Sequence, residues 1–313
     1  MTNIPGTDLD VFPLNLGTNV FGWRTDRDES FAVMDAYVAG GGNFIDTADS
    51  YSSWAPGNVG GESETIIGEW LAARGNRDDI VVATKVGAHP DFKGLTAKDV
   101  KGAAEASLKR LRTDVIDLYW AHFDDEDTPV EETVTAFDEL VKEGKVRYIG
   151  ASNLSAERIR ASLAFSAKEG LARYIALQPN YNLVDRGPYE TAYAPLAAEQ
   201  DLAVFPYFGL ARGFLTGKYR GNPDDGEGSP RAATAQKFYD DKGKRILAAL
   251  DEIAARHQAP VASVALAWLR NQPQVIAPLA SARKLDQVPP LVRSATLDLT
   301  ADEVAQLTEA SSD

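Results

Sequence analysis

Residues 43–51 read Asn-Phe-Ile-Asp-Thr-Ala-Asp-Ser-Tyr, an apolar start that reaches a carboxylate at Asp46 and ends on a phenol at Tyr51. Two further stretches have the same build: VVATK ends on Lys85 and LYWAH ends on His122. Each is a short apolar run of the kind that forms a buried strand. Each also puts its ionisable residue at or just beyond the strand's C-terminal end. In a closed parallel barrel those ends converge on one face, where active sites of such barrels are found. A phenol, an ammonium, a carboxylate and an imidazole meeting there make a proton-transfer group.

Outward from these stretches the same pattern continues. Strands are expected over Leu14–Thr18, Asn43–Thr47, Ile80–Lys85, Val115–His122, Val146–Ala151, Tyr174–Pro179, Ala203–Tyr207 and Val275–Ala280. All but the last begin about 28–37 residues after their predecessor, the length of one strand–helix–strand unit. Eight strands alternating with helices predict an α/β fold, a (β/α)₈ TIM barrel, with residues 1–313 as one domain. Helix starts fit this reading. Thr96, Thr128 and Thr300 each precede an acid by three residues, as in a capping box. Pro129 falls where a first helical residue needs no N–H. Arg220–Gly243, rich in Gly, Pro, Asp and Lys, interrupts the regular spacing and reads as mobile surface or a lid.

Composition narrows the function. The 313 residues carry a formal net charge of −14, which argues against a nucleic-acid partner, since that needs clustered Lys and Arg. No apolar run is long enough to span a membrane. Cysteine is absent, which excludes disulfides, thiolate metal sites and cysteine nucleophiles. With no signal-like N-terminus, a cytoplasmic location is expected. The three histidines, His89, His122 and His257, show no metal-ligand spacing, so no metal site is expected. The acidic run Asp124–Asp127 reads as a solvated loop beside a helix start. Neither Gly40–Gly42 nor Gly60-Gly61 sits in the strand–GxGxxG–helix context of a Rossmann site. Gly213–Lys218 lacks the first Gly and the closing Ser or Thr of a P-loop.

Taken in order, NFIDTADSY, GGESETIIGEWL, VVATKVG, DLYWAH, VRYIGASN, LQPNYN and GLARGFLTGKY resemble the aldo-keto reductases, from about Leu14 to Gln287. The resemblance implies a barrel that binds NADPH in extended form across its C-terminal face. It implies Tyr51 as general acid, with Asp46, Lys85 and His122 as its partners, and Asp46 also among the residues about the cofactor. The chemistry is consistent with those roles. A free tyrosine has a pKa of about 10, poor for proton exchange at neutral pH, and a neighbouring ammonium favours its phenolate. An imidazole donor would orient a carbonyl and support its developing charge. Read singly, Asp46 could cap a turn, Tyr51 could be a loop aromatic and His122 a satisfied barrel histidine.

The resemblance also distributes the cofactor contacts. Ser152, Asn153 and Gln178 match the residues that bind the nicotinamide amide, and Tyr207 the ring that stacks on nicotinamide. Leu210, Arg212 and Lys218 match the pyrophosphate side, with Arg231 as a further candidate, and the long loop becomes a lid. Ser281, Arg283, Lys284 and Gln287 resemble the element that grips the 2′-phosphate and adenine, which favours NADPH over NADH. Three places depart from the pattern: Phe208-Gly209 after strand seven, Pro290-Leu291 at the adenine position, and the long connection between Tyr51 and Glu64. Trp54 on that connection could stand over the substrate or pack on the barrel rim.

Trp23, Trp54, His89 and Phe123 are the expected pocket lining, suited to a small-molecule aldehyde or ketone. The expected activity is reversible, NADPH-dependent interconversion of carbonyl and alcohol. The alternative is an NADPH-binding regulatory or scaffold protein of the same fold with little turnover. A Schiff-base aldolase using Lys85 is a second rival, but a lysine paired with Asp46 should stay protonated.

Overall fold

In the computed structural model, residues 1–222 and 232–312 are described. Eight strands run parallel in one curled sheet: β1 (Asn15–Gly17), β2 (Phe44–Asp46), β3 (Val81–Val86), β4 (Ile116–Ala121), β5 (Val146–Ser152), β6 (Tyr174–Gln178), β7 (Ala203–Val204) and β8 (Leu279–Ala280). Their order is sequential, and β8 pairs with β1. Hydrogen bonds from Val204 N to Gln274 O (2.9 Å), Ile276 N to Val204 O (3.0 Å) and Leu279 N to Pro206 O (2.8 Å) join β7 to the segment leading into β8. The barrel therefore closes, and its eight strands leave no open sheet edge among the described residues.

Side-chain alternation splits each strand between two cores. Ile45, Val82, Tyr119, Ile149 and Leu177 face outward to the helices. Phe44, Val81, Ala83, Leu118, Trp120, Ala176, Ala203, Phe205 and Leu279 fill the interior. A side chain at Gly150 would collide with the Trp120 ring, so glycine there makes room for the largest interior residue. Ile4, Leu9 and Val11, from an N-terminal antiparallel hairpin of Thr2–Asn3 with Asp10–Val11, join the same interior cluster.

Helices α1 (Arg27–Ala39), α2 (Glu62–Arg74), α3 (Ala97–Leu111), α4 (Val130–Lys142), α5 (Ala156–Glu169) and α6 (Ala194–Gln200) follow successive strands. After β7 come α7 (Ala232–Gln236), α8 (Asp241–His257) and α9 (Val261–Arg270), and after β8 come α10 (Val288–Ser294) and α11 (Ala301–Ala310). The cap at Thr300 is a full capping box, and Thr96 accepts from Asp99 N. Thr128 does not cap α4. Its hydroxyl donates instead to Asp125 Oδ2 (2.6 Å), and Pro129 occupies the cap position. Asp124 pairs with Arg158, so part of the acidic run ties its loop to α5. Strand eight is shorter than expected, beginning regular pairing only at Leu279. Arg231 and residues 223–230, the middle of the proposed lid, lie outside the described residues.

Candidate active site

The interior alternation carries straight into the site. One step beyond Phe44, Ala83, Trp120, Ala176 and Phe205 stand Asp46, Lys85, His122, Gln178 and Tyr207. They form the top layer of the barrel interior, at the strands' C-terminal ends.

Asp46 and Lys85 are both fully buried. The Lys85 ammonium donates to the Asp46 carboxylate, to Thr47 O (2.7 Å) and to Tyr51 Oη (3.0 Å), using its three protons. Burial works against the Lys85 charge, but the charges of Asp46 and Tyr51 outweigh it and hold the ammonium above its ordinary pKa. Burial pushes the Asp46 carboxyl up, opposed by Lys85. Its second oxygen accepts from Gln178 Nε2 (2.9 Å). Gln178 thus braces the carboxylate behind the site, a contact that strand alternation alone does not reveal.

His122 lines the cleft, while its Nδ1 is buried without a hydrogen-bond partner. Burial, then the Lys85 charge, holds its pKa well below the ordinary value, so the imidazole is neutral at pH 7. An orphaned lone pair costs less here than an orphaned N–H, because the Lys85 charge acting on the ring disfavours a further buried positive hydrogen. That favours the tautomer with its proton on Nε2. The His122 and Tyr51 rings lie 6.1 Å apart.

The cleft has a volume of about 930 Å³, the upper end of the range for small-molecule sites. Tyr51, His122, Ser152, Asn153, Gln178, Tyr207, Leu210, Arg212, Lys218, Ser281, Arg283 and Gln287 line it. Asn153 adopts φ 55°, and its amide is held by His122 O (2.8 Å) and by the Tyr207 hydroxyl, which donates to Oδ1 (2.8 Å). Ser152 Oγ donates to Gln178 O (2.9 Å). Gln287 Oε1 accepts from Arg283 N (2.8 Å), which fixes the loop that carries Arg283. Between β7 and Gly217 the chain is strained: Phe208, Ala211, Arg212 and Gly213 all have positive φ. Such strain in non-glycine residues collects at binding sites. The Arg212 guanidinium lies 4.2 Å from the Phe208 ring centre.

Three of the expected residues lie off the cleft wall. His89 is buried off the cleft wall, tilted against Phe92 and so close to Gly60 that a side chain there would strike its ring. Its Nδ1 accepts from Asp91 N (3.1 Å), the reading of a structural histidine. Lys284 is exposed and off the cleft wall. Asp46 is likewise behind the wall, not on it. Trp23, Trp54 and Phe123 do line the cleft, and so do Arg24, Phe208, Asp286, Pro290 and Leu291.

The sequence profile of the Aldo/keto reductase family matches residues 13–312. The chain belongs to the aldo/keto reductase family. It is 32% identical to Protein tas of Escherichia coli (strain K12), over 97% of this chain and 95% of that protein. It is 37% identical to Aldo-keto reductase str7 of Strobilurus tenacellus, over 91% of this chain and 82% of the relative. Norsolorinic acid reductase A of Aspergillus parasiticus is 30% identical, over 98% and 79%. Aldo/keto reductases generally reduce carbonyls with a nicotinamide cofactor, usually NADPH, and this chain is an oxidoreductase acting on carbonyl groups.

Proposed function

We propose that the protein reduces an aldehyde or ketone to its alcohol with NADPH, with Tyr51 as the proton donor. The observation that carries this reading is the buried Lys85 ammonium, held between the Asp46 carboxylate and the Tyr51 oxygen. A buried ion pair of this kind, wired to one phenol at the wall of a cleft, meets no structural need that a pair of apolar residues could not meet.

The residues present fit the cofactor. Ser152, Asn153 and Gln178 offer amide-recognising groups beside the Tyr207 ring, and Arg212, Lys218 and Arg283 supply cations along the same cleft. When bound, NADPH supplies the hydride. The rest falls to the protein's side chains. Tyr51 accepts a hydrogen bond from Lys85 at its oxygen, and its O–H is the donor to the carbonyl oxygen when substrate binds. Once the proton has left, the ammonium at 3.0 Å stabilises the phenolate. That attraction is at most about 5.5 kcal/mol at an effective dielectric near 20, and less because Tyr51 is partly exposed. Asp46 keeps the ammonium charged. Neutral His122 donates from Nε2 and fixes the carbonyl's approach.

The test is multiple-turnover oxidation of NADPH, followed at 340 nm, against a panel of aldehydes and ketones. Turnover with several carbonyls supports the reading. Tight NADPH binding with no turnover on any of them would point instead to a cofactor-binding regulatory protein.

A further inference from the structure

Exposed large apolar side chains are few among the described residues, and two of them, Trp54 (51% exposed) and Phe123 (47% exposed), line this cleft. The loop that carries Trp54 is nonetheless tightly held. Ser52, fully buried at φ 72°, donates from Oγ to Phe21 O (2.7 Å). Asn58 Nδ2 donates to Gly22 O (2.9 Å) and to Ser52 O (3.0 Å). The Glu62 carboxylate accepts from Val59 N (2.7 Å) and Gly60 N (3.0 Å). These bonds tie the loop to the turn after β1 on one side and to the start of α2 on the other.

The rings form an arc. Trp54 meets Trp23 edge-on at 5.7 Å, and the outer face of Trp23 is covered by the Arg24 guanidinium at 4.7 Å. Trp54 also meets Tyr51 edge-on at 6.3 Å, and Phe123 stacks on His122 at 4.4 Å with 28° between planes. Each of the two polar groups that would meet a carbonyl oxygen is therefore backed by an aromatic ring with bare surface. Bare apolar surface at a cleft wall is a source of binding free energy. A rigid wall delivers it without an ordering cost on binding.

We infer that the substrates are planar aryl carbonyls, aldehydes or ketones, and that Trp54 is the residue that selects them. The inference rests on carbonyl reduction at Tyr51. A flat ring whose carbonyl oxygen reaches Tyr51 and His122 can lay its faces and edges against Trp54 and Phe123. A saturated ring of the same carbon count is thicker and has no π face to offer. Aromatic pairing beyond area burial is worth roughly two- to tenfold per ring pair.

The experiment compares kcat/KM for 2-naphthaldehyde and decalin-2-carbaldehyde, with NADPH saturating, in the wild type and in Trp54→Ala, Trp54→Phe and Phe123→Ala. The expected result is a naphthyl preference in the wild type that falls at least fivefold in Trp54→Ala. The loss should lie mainly in KM for the naphthyl substrate, and Trp54→Phe should restore most of the preference. A wild type that favours neither ring, or a Trp54→Ala protein that keeps the wild-type ratio, overturns the inference alone. Absence of turnover with every carbonyl overturns the reductase reading beneath it.

Discussion

Replacing Asp46 by Asn tests the buried pair at the root of the site. The substitution keeps shape but turns an acceptor towards Lys85 into a group that can present only an amide, while Gln178 still bonds the other end. Lys85 then retains Thr47 O and the Tyr51 oxygen as partners, and no opposing charge. Removing one member of a buried pair costs about 3–5 kcal/mol if the remaining charge stays. If Lys85 sheds its proton instead, part of that cost is avoided, but Tyr51 loses its ammonium. A loss of about 3 kcal/mol in transition-state stabilisation is roughly a hundredfold in kcat/KM. The assay is guanidinium denaturation at pH 7 beside steady-state kinetics, for Asp46→Asn, Lys85→Met and the double variant. The pair should be strongly coupled: the double variant should be more stable than the sum of the single effects implies, by about 2 kcal/mol or more. An Asp46→Asn protein within about 1 kcal/mol of wild-type stability that keeps a third of its kcat/KM would refute the reasoning.

Three further outcomes follow from the same geometry. His122 is held neutral in the folded state, whereas its unfolded pKa is about 6.5, so the unfolded chain takes up a proton there that the folded chain refuses. Stability should fall as pH drops below about 6.5, with a contribution of ~1.4 kcal/mol per pH unit that is missing in denaturation curves of His122→Asn. Asp49 is fully buried with neither oxygen bonded, and burial, then the Glu64 charge, raises its pKa well above the carboxylate range. A folded-state acid raised in this way favours folding at low pH and loses that advantage as pH rises through its folded value. Asp49→Asn should therefore be more stable than wild type at pH 7, with the gap closing towards pH 4, and an unchanged gap across that range would contradict the account. Arg283→Ala should weaken NADPH binding about tenfold or more, as loss of a charge-assisted contact does, and NADH binding much less, measured by fluorescence titration.

The barrel and its top layer were legible because alternation on a buried strand is strict. In VVATK the interior positions are Val81, Ala83 and Lys85, so a lysine among small apolar residues had to be both buried and paired. The same parity placed Asp46 and His122 on one face. What it could not give was which loop residues turn inward. His89 sits on a short hairpin after β3, and its burial beside Gly60 depends on the long 52–61 connection, which has no periodicity to read. Thr128 looked like a helix cap, but Asp125 one turn earlier competes for its hydroxyl. The brace from Gln178 to Asp46 joins residues 132 apart in sequence, a contact fixed only when the barrel closes. Trp54 could equally have packed on the rim. Ser52 and Asn58 tie its loop to the turn after β1, and Trp54 lines the cleft with its ring edge-on to Trp23.

The central claim is that Tyr51 gives the proton while the rest of the cleft binds. Tyr51→Phe removes one oxygen and leaves the ring beside Trp54 and His122. NADPH titration and single-turnover reduction of one good carbonyl substrate, done on the same preparation, separate binding from chemistry. The account predicts an NADPH Kd within about threefold of wild type and a rate of reduction lower by roughly two orders of magnitude or more. A Tyr51→Phe protein that binds NADPH and reduces the carbonyl at near the wild-type rate would contradict it.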